Sequence, residues 1–151
     1  MTAVGIARLA HRIYIIRNSC LCRDGKVVEF LAKVIKFFNR IFFCCDIAYQ
    51  VDLPVTTLMP HQGLGVVIHP KTIIGENCII YQNTTSGEKH GVGIDGAPRI
   101  GNNVMIGVGA VILGPIRIGD NVKIGANSVV ISDVPDNSVV CGVPAQVKRS
   151  K

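Results

Sequence analysis

The sequence contains no tryptophan, and aromatic residues make up only 5% of it. A core organised around large rings is excluded, so the 48% hydrophobic content has to be stacked as small aliphatics. No apolar run reaches the roughly 20 residues that a membrane-spanning helix needs. The most apolar stretch, residues 27–43, is interrupted by Glu29, Lys33, Lys36 and Arg40. No secretory leader is read at the N-terminus, where Arg8, His11, Arg12 and Arg17 break up the apolar residues. The six cysteines (Cys20, Cys22, Cys44, Cys45, Cys78 and Cys141) lack zinc-finger spacing with matching histidines. They are expected to be reduced thiols in a cytoplasmic protein. His61, His69 and His90 do not show the close pairing expected of a three-histidine zinc site, so no metal is expected.

What is present is a ladder of period six. Ile100, Ile106, Ile112, Ile118, Ile124 and Val130 recur at that spacing. Upstream, Ile68, Ile74 and Ile80 continue it, and Ile47 and Leu53 read as an earlier pair. A period of six suits neither an amphipathic helix nor a plain strand and marks a repeat architecture. Four residues after each aliphatic stands a small or branched residue: Val104, Ala110, Ile116, Val122, Ser128, Val134. Three residues after it stand Asn103, Gly109, Asn121, Asn127 and Asp133, types that tolerate left-handed backbone, with Asn77 and Asn83 in the same column upstream. Pro115, beside Gly114, breaks the column. Each unit therefore reads as a short strand and a corner. About three units close one coil of a β-helix, whose coils stack and hide one another's edges.

The register stops twice, at residues 59–67 and 86–97. Such interruptions are where loops leave a solenoid and where function concentrates.

The charge belongs to another part of the chain. Residues 1–45 hold eight Lys/Arg and two Asp/Glu, leaving +6, whereas residues 46–151 hold eight of each sign. Helices are expected over 3–17 and 27–43, with a turn at Arg23-Asp24-Gly25. Two regions follow: an α-helical segment, 1–45, and a β-helix, 46–151. The basic segment is expected to cover one end of the β-helix, pack against another subunit, or lie on a membrane surface. No nucleic-acid partner is expected. An ordered chain is expected up to the last few residues, Lys148 to Lys151.

From Asp46 onward the chain resembles the left-handed β-helix acyltransferases with hexapeptide repeats. Within them it is most similar to the serine acetyltransferase group and its polysaccharide-modifying relatives. Three features carry the resemblance: the repeats, the interruption His61-Gln62-Gly63-Leu64-Gly65-Val66-Val67-Ile68, and the ending from Asp133-Val134-Pro135-Asp136-Asn137 through Gly142-Val143-Pro144-Ala145. The resemblance implies the left-handed coil, acetyl-CoA as co-substrate without a metal, and a homotrimer or dimer of trimers with sites between subunits. It matches His61 to the family's catalytic histidine, the base that takes the acceptor hydroxyl's proton. It matches Asp46 to the carboxylate that orients the imidazole. It places Val108, Gly109 and Ala126 along the acetyl-CoA groove. The family's basic residue near the end is Gln146 here, so Lys148 or Arg149 is expected to meet the CoA phosphates. Glu88, Lys89 and His90 could reach the cofactor, although His90 matches no family histidine.

Two departures bear on the acceptor. The family's serine acetyltransferases carry Asp before the histidine, where this chain has Pro60. They carry Arg-His-Pro before the next repeat, where this chain has Gly96-Ala97-Pro98. One extra residue stands between His61 and Gly65. The missing charges would hold an amino acid's ammonium and carboxylate, so a sugar hydroxyl in surface polysaccharide synthesis is the expected acceptor. Serine is the alternative. A metal-dependent hydratase and a non-catalytic scaffold are the rival classes.

Overall fold

The structure is a computed structural model that describes residues 2, 4–9, 25–89 and 96–150, the side chains of 149 and 150 excepted. Residues 4–9 are helical. The rest of the helix expected over 3–17, the Arg23-Asp24 part of the turn, Cys20, Cys22 and His90 lie outside the described residues. Helix α1, Gly25–Phe43, starts two residues before the expected bound.

The rest is a left-handed parallel β-helix. Its strands in chain order are β1 (Asp46–Ile47), β2 (Val67–Ile68), β3 (Ile73–Ile74), β4 (Ile79–Ile80), β5 (Thr85–Gly87), β6 (Arg99–Ile100) and β7 (Met105–Ile106). They continue as β8 (Val111–Leu113), β9 (Arg117–Ile118), β10 (Lys123–Ile124), β11 (Val129–Val130), β12 (Ser138–Gly142) and β13 (Ala145–Ser150). Three sheets form the faces of a prism: β1-β2-β5-β8-β11, then β3-β6-β9, then β4-β7-β10-β12-β13. Successive coils bond in register, Ile68 beside Ser86 and Ile106 beside Ile124, each an interval of 18 residues. The first interruption lengthens that interval to 21 residues, from Ile47 to Ile68, and the second to 26, from Ser86 to Ile112. The last coil is shortened to 16, from Ile124 to Val140.

The ladder is the core. Ile47, Ile80, Ile106, Ile112, Ile118 and Ile124 are all at most 2% exposed, and the alternate small residues Cys78, Val104, Ala110 and Ser128 are fully buried. At roughly 1.5–3 kcal/mol per buried aliphatic side chain, this column is the main source of stability.

The corners differ from one another. Asn77, Asn103, Asn121 and Asn137 on one edge, and Asn83, Gly109 and Asn127 on the next, have positive φ. The first edge is bonded as an amide ladder, Asn103 Nδ2 to Asn121 Oδ1 at 3.2 Å and Asn121 Nδ2 to Asn137 Oδ1 at 3.1 Å. Asp133 corrects the expectation, because it is not among the residues with positive φ. It lies on the third edge with Pro115, where its Oδ1 instead accepts the Arg117 N–H at 2.8 Å. Asn137 takes the left-handed place in the shortened coil. Of residues Lys148 to Lys151, where the sequence leaves order open, Lys151 lies outside the described residues. Residues up to Ser150 form β13, which folds back antiparallel on β12 and closes the end of the third sheet.

Candidate active site

The first interruption is a tight turn, Pro60–Gly63, between Leu58 and β2. His61, Gln62 and Gly63 are all left-handed, with φ of 55°, 61° and 72°. For the two non-glycine residues this costs on the order of 1–2 kcal/mol each, a strain that persists only where the surroundings enforce it. They do so from both sides. The Gly65 N–H donates to Cys44 O at 2.9 Å, and the Asn83 N–H donates to Leu64 O at 2.8 Å. The turn holds the His61 side chain in solvent, without a hydrogen bond or ion pair to the described residues.

The same edge carries the residues expected along the acetyl-CoA groove. Below the His61 turn come Gln82-Asn83, then Val108-Gly109, then Ala126-Asn127. They are stacked by Gly109 N–H to Gln82 O at 3.0 Å and Asn127 N–H to Val108 O at 2.8 Å. From Leu64 to Ala126 is three coil steps, about 14 Å at the usual strand spacing. A Cβ on Gly109 would collide with Asn127 Oδ1, so the backbone stays bare there. The edge ends at Gly142, whose N–H donates to Ser128 Oγ at 3.2 Å. The structure thus brings His61, Val108, Gly109, Ala126 and the Gly-Val-Pro-Ala ending onto one edge of the prism. Lys148 is exposed on β13, outside that column.

Sequence reasoning missed Gln82, whose Oε1 is buried and without a hydrogen-bond partner among the described residues. Buried acceptors are rarely left so, and this one lies between the His61 turn and Val108. A long amide in a column otherwise filled by small residues was the available signal.

Asp46 stands on β1 beside Val67. Its Oδ1 is 2.7 Å from Lys36 Nζ and its Oδ2 is 3.9 Å from Arg40 Nη1. No hydrogen bond joins it to His61. The neighbouring Cys45 thiol is pushed up to about 11, first by burial and then by the Asp46 charge. Cys78 is also raised, mainly by burial. Neither supplies a thiolate nucleophile at neutral pH.

Glu88 does not extend toward this edge. Its carboxylate accepts the Gly96 N–H at 3.2 Å and lies 3.6 Å from His69 Nε2 and 3.7 Å from Lys71 Nζ, which pins the base of the second interruption. A groove of about 360 Å³ beside it, on the face of β3-β6-β9, is lined by Lys71, Ala97, Arg99 and Arg117. Among the described residues no group of three or more His, Cys, Asp or Glu gathers as a metal site.

These features agree with the comparisons. Residues 97–132 match the bacterial transferase hexapeptide (six repeats) family. Serine acetyltransferase of Mycobacterium tuberculosis is 40% identical over 117 residues, covering 78% of this chain and 51% of that protein. WcaB of Escherichia coli K12, a relative named for colanic acid biosynthesis acetyltransfer, is 38% identical over 112 residues, 72% of this chain and 68% of its own length. The structure of Brucella abortus serine acetyltransferase in complex with coenzyme A superposes with a TM-score of 0.86 at 30% identity, covering 98% of this chain and 55% of that one. That of Neisseria gonorrhoeae serine acetyltransferase in complex with serine gives 0.83 at 37%, covering 97% and 55%. The chain spans about half the length of most of these relatives. With its repeats, its His61 turn and these likenesses together, the chain belongs to the hexapeptide-repeat transferase family.

Proposed function

We propose that the chain is an acetyl-CoA-dependent O-acetyltransferase. The observation that carries this is the shared edge, with a strained, solvent-facing His61 at its head and a bare-backbone strip below it. Small residues there leave room for an extended thioester arm, and Gln82 Oε1 is an acceptor available to one of its amide N–H groups. His61 takes the proton of the acceptor hydroxyl as its oxygen attacks the thioester carbonyl carbon. The carbonyl π pair moves to oxygen, then returns and expels the CoA thiolate, which takes the proton back from the imidazolium. The acetyl group passes directly to the acceptor, consistent with Cys45 and Cys78 staying protonated.

The active unit in this reading is a homotrimer or a dimer of trimers. Beside the edge, the outward residues Val67, Thr85, Val111 and Val129 make a largely apolar column. A neighbouring subunit packed there would wall the groove. Lys148 would then meet the CoA phosphates from the end of the strip.

The acceptor is a sugar hydroxyl, supported by Pro60 and by Gly96-Ala97-Pro98 where charges for an amino acid are wanting. The likeness to WcaB accords with it. Serine is the second reading, favoured by the names of most relatives and by the serine complex of one of them. CoA release measured with serine and with a panel of sugars and nucleotide sugars separates the two, and dominant turnover of serine overturns the sugar reading. His61→Ala is expected to abolish acetyl transfer with acetyl-CoA still bound. Full transfer by that variant would overturn the mechanism.

A further inference from the structure

All five phenylalanines of the chain lie on α1, and none lies in the β-helix core. On one side of the helix Ala32 and Asn39 are buried to 0% and 1% exposure, and the helix meets the β-helix through Phe43, packed against the core, and through Lys36, paired with Asp46. On the opposite side Val27, Phe30, Phe37, Phe38, Ile41 and Phe42 are between 48% and 69% exposed. At about 100° per residue they fall within an arc of roughly 140°. Phe38 stacks on Phe42 with centroids 6.1 Å apart, and Phe37 meets Phe38 edge-on, so the rings form one patch. Surface phenylalanines gathered in this way signal a partner.

The border of the patch indicates which partner. Lys26, Lys33 and Arg40 repeat every seven residues and form a row along one flank. Lys33 holds Glu29 at 2.9 Å and Arg40 approaches Asp46 at 3.9 Å, but their side chains remain 60% and 71% exposed. The exposed apolar face itself carries no acid. A second copy docked on it would have to bring one cationic row near another. An anionic lipid surface supplies both an apolar boundary for the rings and counter-charge for the row. The helix is not long and apolar enough to cross a membrane, but its 19 residues give about 28 Å to lie along one.

We propose that α1 lies in the plane of an anionic lipid surface. Its phenylalanines enter the headgroup–acyl boundary, the Lys26-Lys33-Arg40 row sits at the headgroups, and the β-helix is held alongside. This does not depend on the acetyl-transfer reading, because its test reads partitioning and not turnover.

The test is co-sedimentation of the full chain with vesicles of phosphatidylcholine alone or mixed with phosphatidylglycerol. The parent chain is expected to sediment with the mixed vesicles and to be released by salt. Phe37→Gln/Phe42→Gln and, separately, Lys26→Gln/Lys33→Gln are each expected to weaken partitioning by about tenfold or more. Circular dichroism and light scattering on the same variants report fold and mass. A parent chain that stays in the supernatant overturns the proposal, as does a folded Phe variant that partitions like the parent. If the parent ignores vesicles while the Phe variant loses mass, the patch belongs to a second copy, which also overturns it.

Discussion

Gly65 and Asn83 interlock across two coils. Gly65 has φ +67°, and a Cβ there would collide with Asn83 Oδ1, while the Asn83 N–H bonds Leu64 O at 2.8 Å. The pair joins the His61 turn to the coil below it. Gly65→Ala is expected to cost about 2 kcal/mol, chiefly the left-handed penalty of a residue with a Cβ, and to displace the turn. Thermal melts read the first effect and acetyl transfer reads the second. A variant matching the parent in both would show that the interlock is dispensable.

Gln82 offers a contrast between stability and function. Its Oε1 is buried without a partner, so replacing the amide by an apolar chain of similar size removes a desolvation cost. Gln82→Met is expected to melt at the same temperature as the parent or higher. If the oxygen accepts a hydrogen bond from acetyl-CoA, the same variant raises the KM for acetyl-CoA about tenfold, about 1.4 kcal/mol. A variant with unchanged KM would remove Gln82 from the site.

The coil was legible in the sequence because one residue type does one job at each register position. Ile106, Ile112 and Ile118 point inward because the strand alternates, and Asn103 and Asn121 stand at corners because few other residues tolerate positive φ. Asp133 was misread because the three edges are not equivalent. A linear period of six cannot show that the edge of Pro115 turns without a left-handed residue at that position. That His61 shares the edge of Val108, Gly109 and Ala126 was hidden from the period, since its alignment with them depends on three added residues before Ile68 and eight before Ile100. Gln82 escaped because a polar side chain at a corner looks solvated until its burial is known. The Asp46 contacts escaped because Lys36 and Arg40 belong to a helix whose docking no β-repeat encodes.

The Cys45 thiol ties stability to alkaline pH. Its pKa rises from an ordinary value near 9 to about 11, with burial the larger cause and Asp46 the next. A group whose folded-state pKa is raised contributes its stability fully below the unfolded value and loses it as pH rises through the folded one. Stability is therefore expected to decline between about pH 9 and 11, and Cys45→Ala is expected to flatten that decline while costing some packing at lower pH. Chemical denaturation across the range checks this, and an identical alkaline slope in parent and variant would exclude Cys45 as its source.

Asp46 is the residue whose two possible duties can be separated. Its carboxylate holds Lys36 Nζ at 2.7 Å, and both side chains are about one-third exposed. Such a pair contributes at most about 1 kcal/mol after solvent screening. If Asp46 only anchors α1, then Asp46→Asn and Lys36→Met produce the same small loss of stability and leave turnover alone. If it also supports the His61 imidazolium, as the family pattern implies, the two variants diverge. Asp46→Asn then lowers kcat at least about tenfold with the affinity for acetyl-CoA kept. Lys36→Met, which frees the carboxylate, retains or raises kcat. Single-turnover acetyl transfer beside thermal-shift titration with acetyl-CoA measures both quantities on the same protein. Equal kcat in the two variants would confine Asp46 to the helix anchor and leave His61 as a base without a carboxylate partner from its own chain.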